Sequence, residues 1–169
     1  MDALDLLRDL AARPRHAASA LADQLDPATL NAHPGDHPNS AAWLIWHTGR
    51  EIDAQLAALT GADEVWESGG FAERTGLGTL GAGIGYGHSD AEARRIRVDG
   101  AGPLLDYLTA CFDAVDSALA GLAPEALDEI VDDRWEPPVT RGARLVSILD
   151  DAIQHLAQAA YLLGMPELR

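Results

Sequence analysis

The stretch RGARLVSILDDAIQHLAQAAYLLG, residues 141–164, decides the fold class. Its apolar residues recur three and four positions apart, as on one face of a helix: Leu145, Ile148, Leu149, Ala152, Leu156, Ala159 and Leu163. Gly164 ends the pattern. Asp151 and His155 stand four residues apart inside it. The sequence therefore predicts a helix over about 141–163 that carries an acid and an imidazole on one face.

Three further segments share this helical periodicity. They cover about residues 2–25, 40–60 and 103–120. Pro14 lies inside the first and predicts a kink or a break there. Asn39 or Ser40 suits the N-cap of the second, and Gly61 suits its end. Because no long β-branched run alternates with polar residues, no sheet is expected. The prediction is an all-α four-helix bundle in a single domain, residues 1–169.

A long loop, residues 61–101, joins the second and third predicted helices and holds most of the glycines. Its segment GLGTLG, residues 76–81, matches the pattern G-x-G-x-x-G. A dinucleotide-binding fingerprint also needs a strand before this pattern and a helix after it, and neither is predicted here. The chain has no lysine, so a Walker A motif is excluded as well. We expect a mobile loop that folds over one end of the bundle.

The charge of the chain excludes some partners. There are 27 acidic residues against 12 basic ones, all of them arginine, and the net charge is −15. Nucleic acids and anionic membranes both need a basic face, so neither is expected as a partner. Cys111 is the single cysteine, which rules out an internal disulfide and predicts a buried structural thiol. No apolar run reaches the ~20 residues of a membrane span, and the first residues lack the features of a signal peptide, so a cytoplasmic protein is expected.

Asp151 and His155 can together bind one metal ion, or they can form an ion pair with each other. A third ligand would have to come from elsewhere, and His47, in the middle of the second helix, is the natural candidate. Two imidazoles and one carboxylate leave coordination positions open for water or substrate, which is typical of catalytic metal sites. Glu51 is a rival ligand, because it follows His47 by four residues.

Other residues near these motifs have two interpretations each. Gln158 follows His155 by three residues and either binds a ligand or its imidazole, or is simply solvated. Trp43 and Tyr161 either line a pocket or pack in the core. Arg50 either binds a substrate carboxylate or forms a surface salt bridge with Asp53.

Two predictions concern the loops. His88, at the end of the glycine-rich stretch, can approach the entrance of a site. Trp135 is predicted to be an anchor that packs the loop before the last helix. The remaining histidines lie elsewhere: His16 in the first helix, and His33 and His37 in a turn-rich loop where solvation is expected.

The segments NSAAWLIWHTGREID and DDAIQHLAQAAYLLG resemble the DinB superfamily, and most closely its DUF664-like branch, which is related to thiol-dependent S-transferases. The segments LGTLGAGIGYGHSDAEARRIRV and VDDRWEPPVTRGARLVSILDDAIQH are similar to that branch as well. The resemblance covers about residues 25–165. It implies a bundle in up-down-down-up order with a divalent metal held by three histidines. One comes from the second helix, and two, four residues apart, come from the last. His47 and His155 match this set, whereas Asp151 replaces its middle histidine.

The resemblance implies a divalent-metal-dependent enzyme that transfers or uses a low-molecular-weight thiol such as mycothiol. The ion would be Zn, Ni, Mn or Mg, with His47, Asp151 and His155 as ligands. Gln158, Arg50 and Trp43 would contact the cofactor. The alternative is a non-catalytic, stress-associated bundle that binds metal or a small ligand. In either case we expect a small-molecule ligand, and a homodimer is compatible with this kind of bundle.

Overall fold

The computed structural model describes residues 1–168, which are predominantly helical. The four long helices are α1 (Ala3–Leu21), α3 (Ala41–Thr60), α7 (Gly102–Ala120) and α8 (Arg141–Leu163). The helices of a single turn are α2 (Pro27–Leu30), α4 (Val65–Ser68), α5 (Phe71–Arg74) and α6 (Asp90–Ala93). None of the helices within this part of the chain is long and apolar enough to cross a bilayer.

Side-chain caps set the ends of the two helices that matter most for the site. Ser40 caps α3 by accepting a hydrogen bond from the Trp43 amide, and Gly61 ends the helix in the left-handed conformation, with φ 76°. Thr140 caps α8 in the same way as Ser40 caps α3. Both helices therefore begin and end within a residue of their predicted bounds.

The first helix differs from its prediction. It begins with a capping box between Asp2 and Asp5 and ends at Leu21, where a short 3₁₀ turn, Ala22–Gln24, takes over. The helix continues through Pro14 without a break, and Pro14 is buried. The prediction of a break was wrong, because the packing of this face outweighs the lost backbone hydrogen bond.

The long helices enclose a common core. Helix α3 packs against α7 and α8, and α1 packs against the same two helices. The largest fully buried side chains include Trp46, Trp66, Tyr107 and Phe112. The predicted helical class is confirmed, and the up-down-down-up order stays a prediction.

A small sheet was not expected. Strand β1 (Ile130–Asp132) pairs with β2 (Val139–Thr140) in antiparallel orientation. The strands are too short to show an alternating pattern in the sequence. Asp132 fixes this hairpin by pairing with Arg144 of α8 at 3.2 Å. Trp135 lies at the turn of the hairpin and is 65% exposed, so its predicted role as a packed anchor was wrong.

Candidate metal centre

The packing of α3 against α8 brings the three predicted ligands together. His47, Asp151 and His155 each present one ligand atom, and these atoms all lie within 4.8 Å of one another. His47 is buried, and the other two side chains are partly exposed. The His155 Nε2 atom is 3.4 Å from Asp151 Oδ1. The geometry is that of a three-residue cluster open on one side.

The ring of His47 is oriented by a backbone carbonyl. Its Nδ1 atom bonds to the carbonyl oxygen of Ile84, which can only accept. Nδ1 therefore carries the proton, and the lone pair of the neutral ring is on Nε2. Trp43 stacks on the same ring at a centroid distance of 4.5 Å.

The ring of His155 is oriented in an equivalent way. Its Nδ1 atom donates to the Gln158 side-chain oxygen at 2.9 Å, which directs Nε2 towards Asp151. The two imidazole centroids are 4.6 Å apart. Metal-ligating histidines in proteins have their second nitrogen held by an oxygen acceptor in this manner.

Asp151 supplies an unpaired oxygen. Its Oδ2 atom is buried and has no hydrogen-bond partner within residues 1–168. An unsatisfied buried carboxylate oxygen is costly, and a bound cation would remove that cost. The two imidazoles and the Asp151 carboxylate therefore fit a divalent ion.

The two histidines differ in pKa. Burial lowers the pKa of His47, which favours the neutral form that a metal requires. The hydrogen bond to Asp151 raises the pKa of His155. Asp151 and His155 can thus form the ion pair that the sequence left open as an alternative.

Glu51, the rival ligand, lies outside the three-residue cluster. Its carboxylate accepts a hydrogen bond from Gln55 at 2.9 Å. Burial and the negative charge of Asp151 raise its pKa. Glu51 is therefore an electrostatic neighbour of the centre.

The structure gives Arg50 a different role from ligand binding. Its guanidinium donates five hydrogen bonds: to the carbonyls of Ala82 and Gly83 and to the side chains of Asp53, Glu64 and Tyr107. Because a guanidinium has five N–H donors, none is left for a cofactor. The predicted salt bridge with Asp53 exists at 3.1 Å, but it is buried and not on the surface.

The glycine-rich segment is bonded to α3 by consecutive carbonyls. Gly81 accepts from the Trp46 indole at 3.2 Å, Ala82 and Gly83 accept from Arg50, and Ile84 accepts from His47. The segment is thus hydrogen-bonded to α3 and orients a candidate ligand, while the mobility predicted for it stays a prediction. These carbonyls were missed in the sequence, because a backbone oxygen has no residue signature.

His88 extends the aromatic surroundings of the centre. Its Nδ1 atom accepts a hydrogen bond from the Trp43 indole at 3.3 Å, and its ring stacks on Trp46 at 5.7 Å. Trp43 thereby lies between His47 and His88. Trp43 is buried, and its ring lies next to those of Trp46, His47, His88 and His155.

An open cavity of about 890 Å³ adjoins the centre. His155 and Gln158 form part of its wall, and so does Tyr161, which is largely exposed. His155 thus belongs both to the ligand cluster and to the cavity. A small molecule in this cavity would lie beside the candidate metal position.

Cys111 is buried, and its thiol contacts the Gly49 carbonyl at 3.5 Å. Burial raises the pKa of this thiol well above its ordinary value. A neutral, enclosed thiol is a poor nucleophile, which agrees with the structural role predicted for it.

Comparison with known proteins supports the superfamily part of the resemblance seen in the sequence, whereas the DUF664-like branch and its relation to thiol transferases stay predictions. The chain is similar to a conserved protein from Enterococcus faecalis, whose crystal structure has 34% sequence identity, a TM-score of 0.87 and 96% coverage of both chains. A comparison with curated proteins found no match. Residues 10–159 match the DinB superfamily. The chain therefore belongs to the DinB superfamily.

Proposed function

We propose that this protein is a divalent-metal-dependent enzyme of the DUF664-like branch, which uses a low-molecular-weight thiol at the cluster of His47, Asp151 and His155. One observation carries the proposal: two imidazoles and a carboxylate converge, and both imidazoles have their second nitrogen held by an oxygen. Known members of the superfamily bind metal, which supports the same conclusion.

The donor set restricts the choice of ion. His47, His155 and a carboxylate oxygen of Asp151 would hold it, giving two nitrogens and one oxygen. This set favours Zn²⁺, Ni²⁺ or Mn²⁺ over Mg²⁺, which prefers oxygen ligands alone. A bound ion would lower the pKa of a thiol or a water and stabilise the resulting anion.

The groups around the cluster would position the ligands and the reactants. The Ile84 carbonyl holds the His47 ring and Gln158 holds the His155 ring. The cavity beside His155 has room for a thiol with its acceptor. In the proposed S-transfer the thiol loses its proton to solvent. Its sulfur electron pair then forms a bond to an electrophilic carbon, and the leaving group departs with its bonding pair.

The test is a thiol conjugation assay with monobromobimane, in which the sulfur displaces bromide. Chelator-treated protein should show only the uncatalysed rate, and Zn²⁺, Ni²⁺ or Mn²⁺ should restore activity. The variant His155→Ala should not recover, whereas His16→Ala, on the exposed part of α1, should behave as wild type. Equal rates with and without metal would contradict the proposal.

The second candidate is a non-catalytic small-ligand-binding protein, and the largely apolar cavity favours it. This candidate predicts that an apolar dye such as ANS binds equally well to the chelated and the metal-loaded protein. It also predicts no acceleration of bimane conjugation by any of the ions. A metal-dependent rate would exclude it.

A further inference from the structure

We infer that the cavity beside His155 selects an uncharged ligand, and that the site discriminates against thiols that carry a carboxylate. The inference rests on the proposed function, since it names the class of thiol that the same site would take.

The wall combines apolar side chains with neutral hydrogen-bonding groups. Its apolar part includes Leu44, Leu162 and Met165, and its amide groups come from Asn39, Gln154 and Gln158. No arginine, aspartate or glutamate is among the lining residues within residues 1–168. Such a wall can bind amides and hydroxyls, but it offers no guanidinium to a carboxylate.

The histidine of the wall outside the cluster has one ring nitrogen occupied. His37 accepts a hydrogen bond from the Asn39 backbone amide through Nδ1, at 3.1 Å. This nitrogen is therefore not free to donate to a ligand carboxylate.

One charged group bonded to the wall is an acid, because Gln154 donates a hydrogen bond to Asp150 at 2.7 Å. Asp36, next to the wall residue Gly35, is paired with Arg94 at 2.8 Å, so this pair adds no net charge. Asp151 lies one turn before His155. The chain as a whole has a net charge of −15. Apart from the ion that the cluster would hold, the surroundings of the wall therefore offer an anionic group no cationic partner.

A carboxylate that packs against this wall would lose part of its hydration without gaining a cationic partner, whereas a neutral amide can bond to the amide groups of the wall. The cavity would therefore bind a thiol with a free carboxylate more weakly than the corresponding amide. Rejection by an uncompensated charge is a recognised source of specificity.

The test compares N-acetylcysteine with N-acetylcysteine amide, which differ in one carboxylate. Both are titrated into the Co²⁺-loaded protein, and the thiolate-to-cobalt charge-transfer absorption reports binding without any activity assay. We expect the acid to bind at least about tenfold more weakly than the amide. The variant Ala157→Arg, at an exposed position of the wall, should strengthen binding of the acid and leave the amide unchanged.

The variant Ala157→Gln is the matched control, because it adds a side chain of similar length without charge. It should keep the wild-type ratio of the two affinities. Comparing this ratio between Ala157→Arg and Ala157→Gln cancels the intrinsic difference between the two thiols. Equal binding of acid and amide, with no effect of the arginine, would overturn the inference and leave the proposed function intact. A cobalt spectrum that neither thiol changes would overturn both.

Discussion

Replacing Gly85 by alanine should weaken the fold and the metal centre together. Gly85 has a φ of +86°, in the region that residues with a side chain rarely adopt. A Cβ atom there would lie 2.7 Å from Cζ3 of Trp46 and 3.1 Å from Nδ1 of His47. Since Trp46 is fully buried, its ring cannot move aside freely. The added methyl group would therefore press on the residues that orient the candidate ligand.

Two costs contribute to the expected magnitude. The left-handed backbone costs a residue with a side chain about 1–2 kcal/mol. Overpacking against a buried ring typically adds about 1–3 kcal/mol. We therefore expect Gly85→Ala to lower the free energy of unfolding by roughly 2–5 kcal/mol. It should also reduce the affinity for metal, because the bond between His47 and the Ile84 carbonyl is displaced.

Two other glycines of the same segment separate these costs. Gly87 has a φ of +74° but open space around its Cβ position, so Gly87→Ala should cost only the backbone term, about 1–2 kcal/mol. Gly83 has a φ of −72° and open space, so Gly83→Ala should be close to neutral. Urea denaturation followed by circular dichroism gives the unfolding free energies, and calorimetric Zn²⁺ titration gives the affinities.

We expect a fixed order of stability among these variants, with Gly83→Ala the most stable and Gly85→Ala the least stable. If Gly85→Ala were no less stable than Gly87→Ala, the contact of the added Cβ atom with Trp46 and His47 would not lower the free energy of unfolding. If it bound Zn²⁺ as tightly as wild type, the segment would not orient the candidate ligand.

Three further variants test the bond between Gln158 and His155, the ion pair of Arg50 and the carboxylate of Asp132. Gln158→Leu removes the oxygen that holds His155 Nδ1 and should weaken metal binding about 10–100-fold in calorimetry, while metal-free stability changes by less than about 0.5 kcal/mol. Arg50→Met removes the cationic partner of the buried Asp53 carboxylate. It should lower the free energy of unfolding by about 3–5 kcal/mol, as measured by urea denaturation. Hydrogen bonds from Arg134 hold the pKa of Asp132 below its usual range, so the stability that this carboxylate confers is present above about pH 4 and is lost as the pH falls. The urea midpoint of Asp132→Asn should accordingly fall less than that of wild type between about pH 7 and about pH 3.

The long helices could be predicted from the sequence because their cause is local. The apolar periodicity of residues 141–163 and the caps at Ser40 and Gly61 act within a few residues, so α8 and α3 lie where the pattern places them. The end of α1 was misplaced, because the chain changes to a 3₁₀ turn after Leu21 with no glycine or proline to mark it.

The candidate site was predictable only as far as side chains carry its chemistry. His47, Asp151 and His155 could be proposed from their spacing and from a family resemblance. The Ile84 carbonyl could not be found, because any residue at that position has the same oxygen. The saturation of Arg50 could not be found either, since its partners come from three segments that only the fold brings together.

The β1–β2 hairpin could not be predicted from the sequence either. Its two strands are held by the pairing of Asp132 with Arg134 and Arg144, and two or three residues are too few for a period to emerge. An exposed tryptophan such as Trp135 also looks the same in a sequence as a buried one. Its position depends on which side of the hairpin faces the helices.

The metal content of the protein decides whether His47, Asp151 and His155 form a metal centre. It is determined by elemental mass spectrometry after incubation with a small excess of Zn²⁺ and removal of the unbound ion by dialysis. We predict about one ion per chain for wild type and for His16→Ala, and none for His47→Ala or His155→Ala. Asp151→Asn should bind much more weakly, because it replaces the charged ligand oxygen. Metal-free wild type, or full occupancy in His155→Ala, would contradict the assignment of these residues as a metal centre.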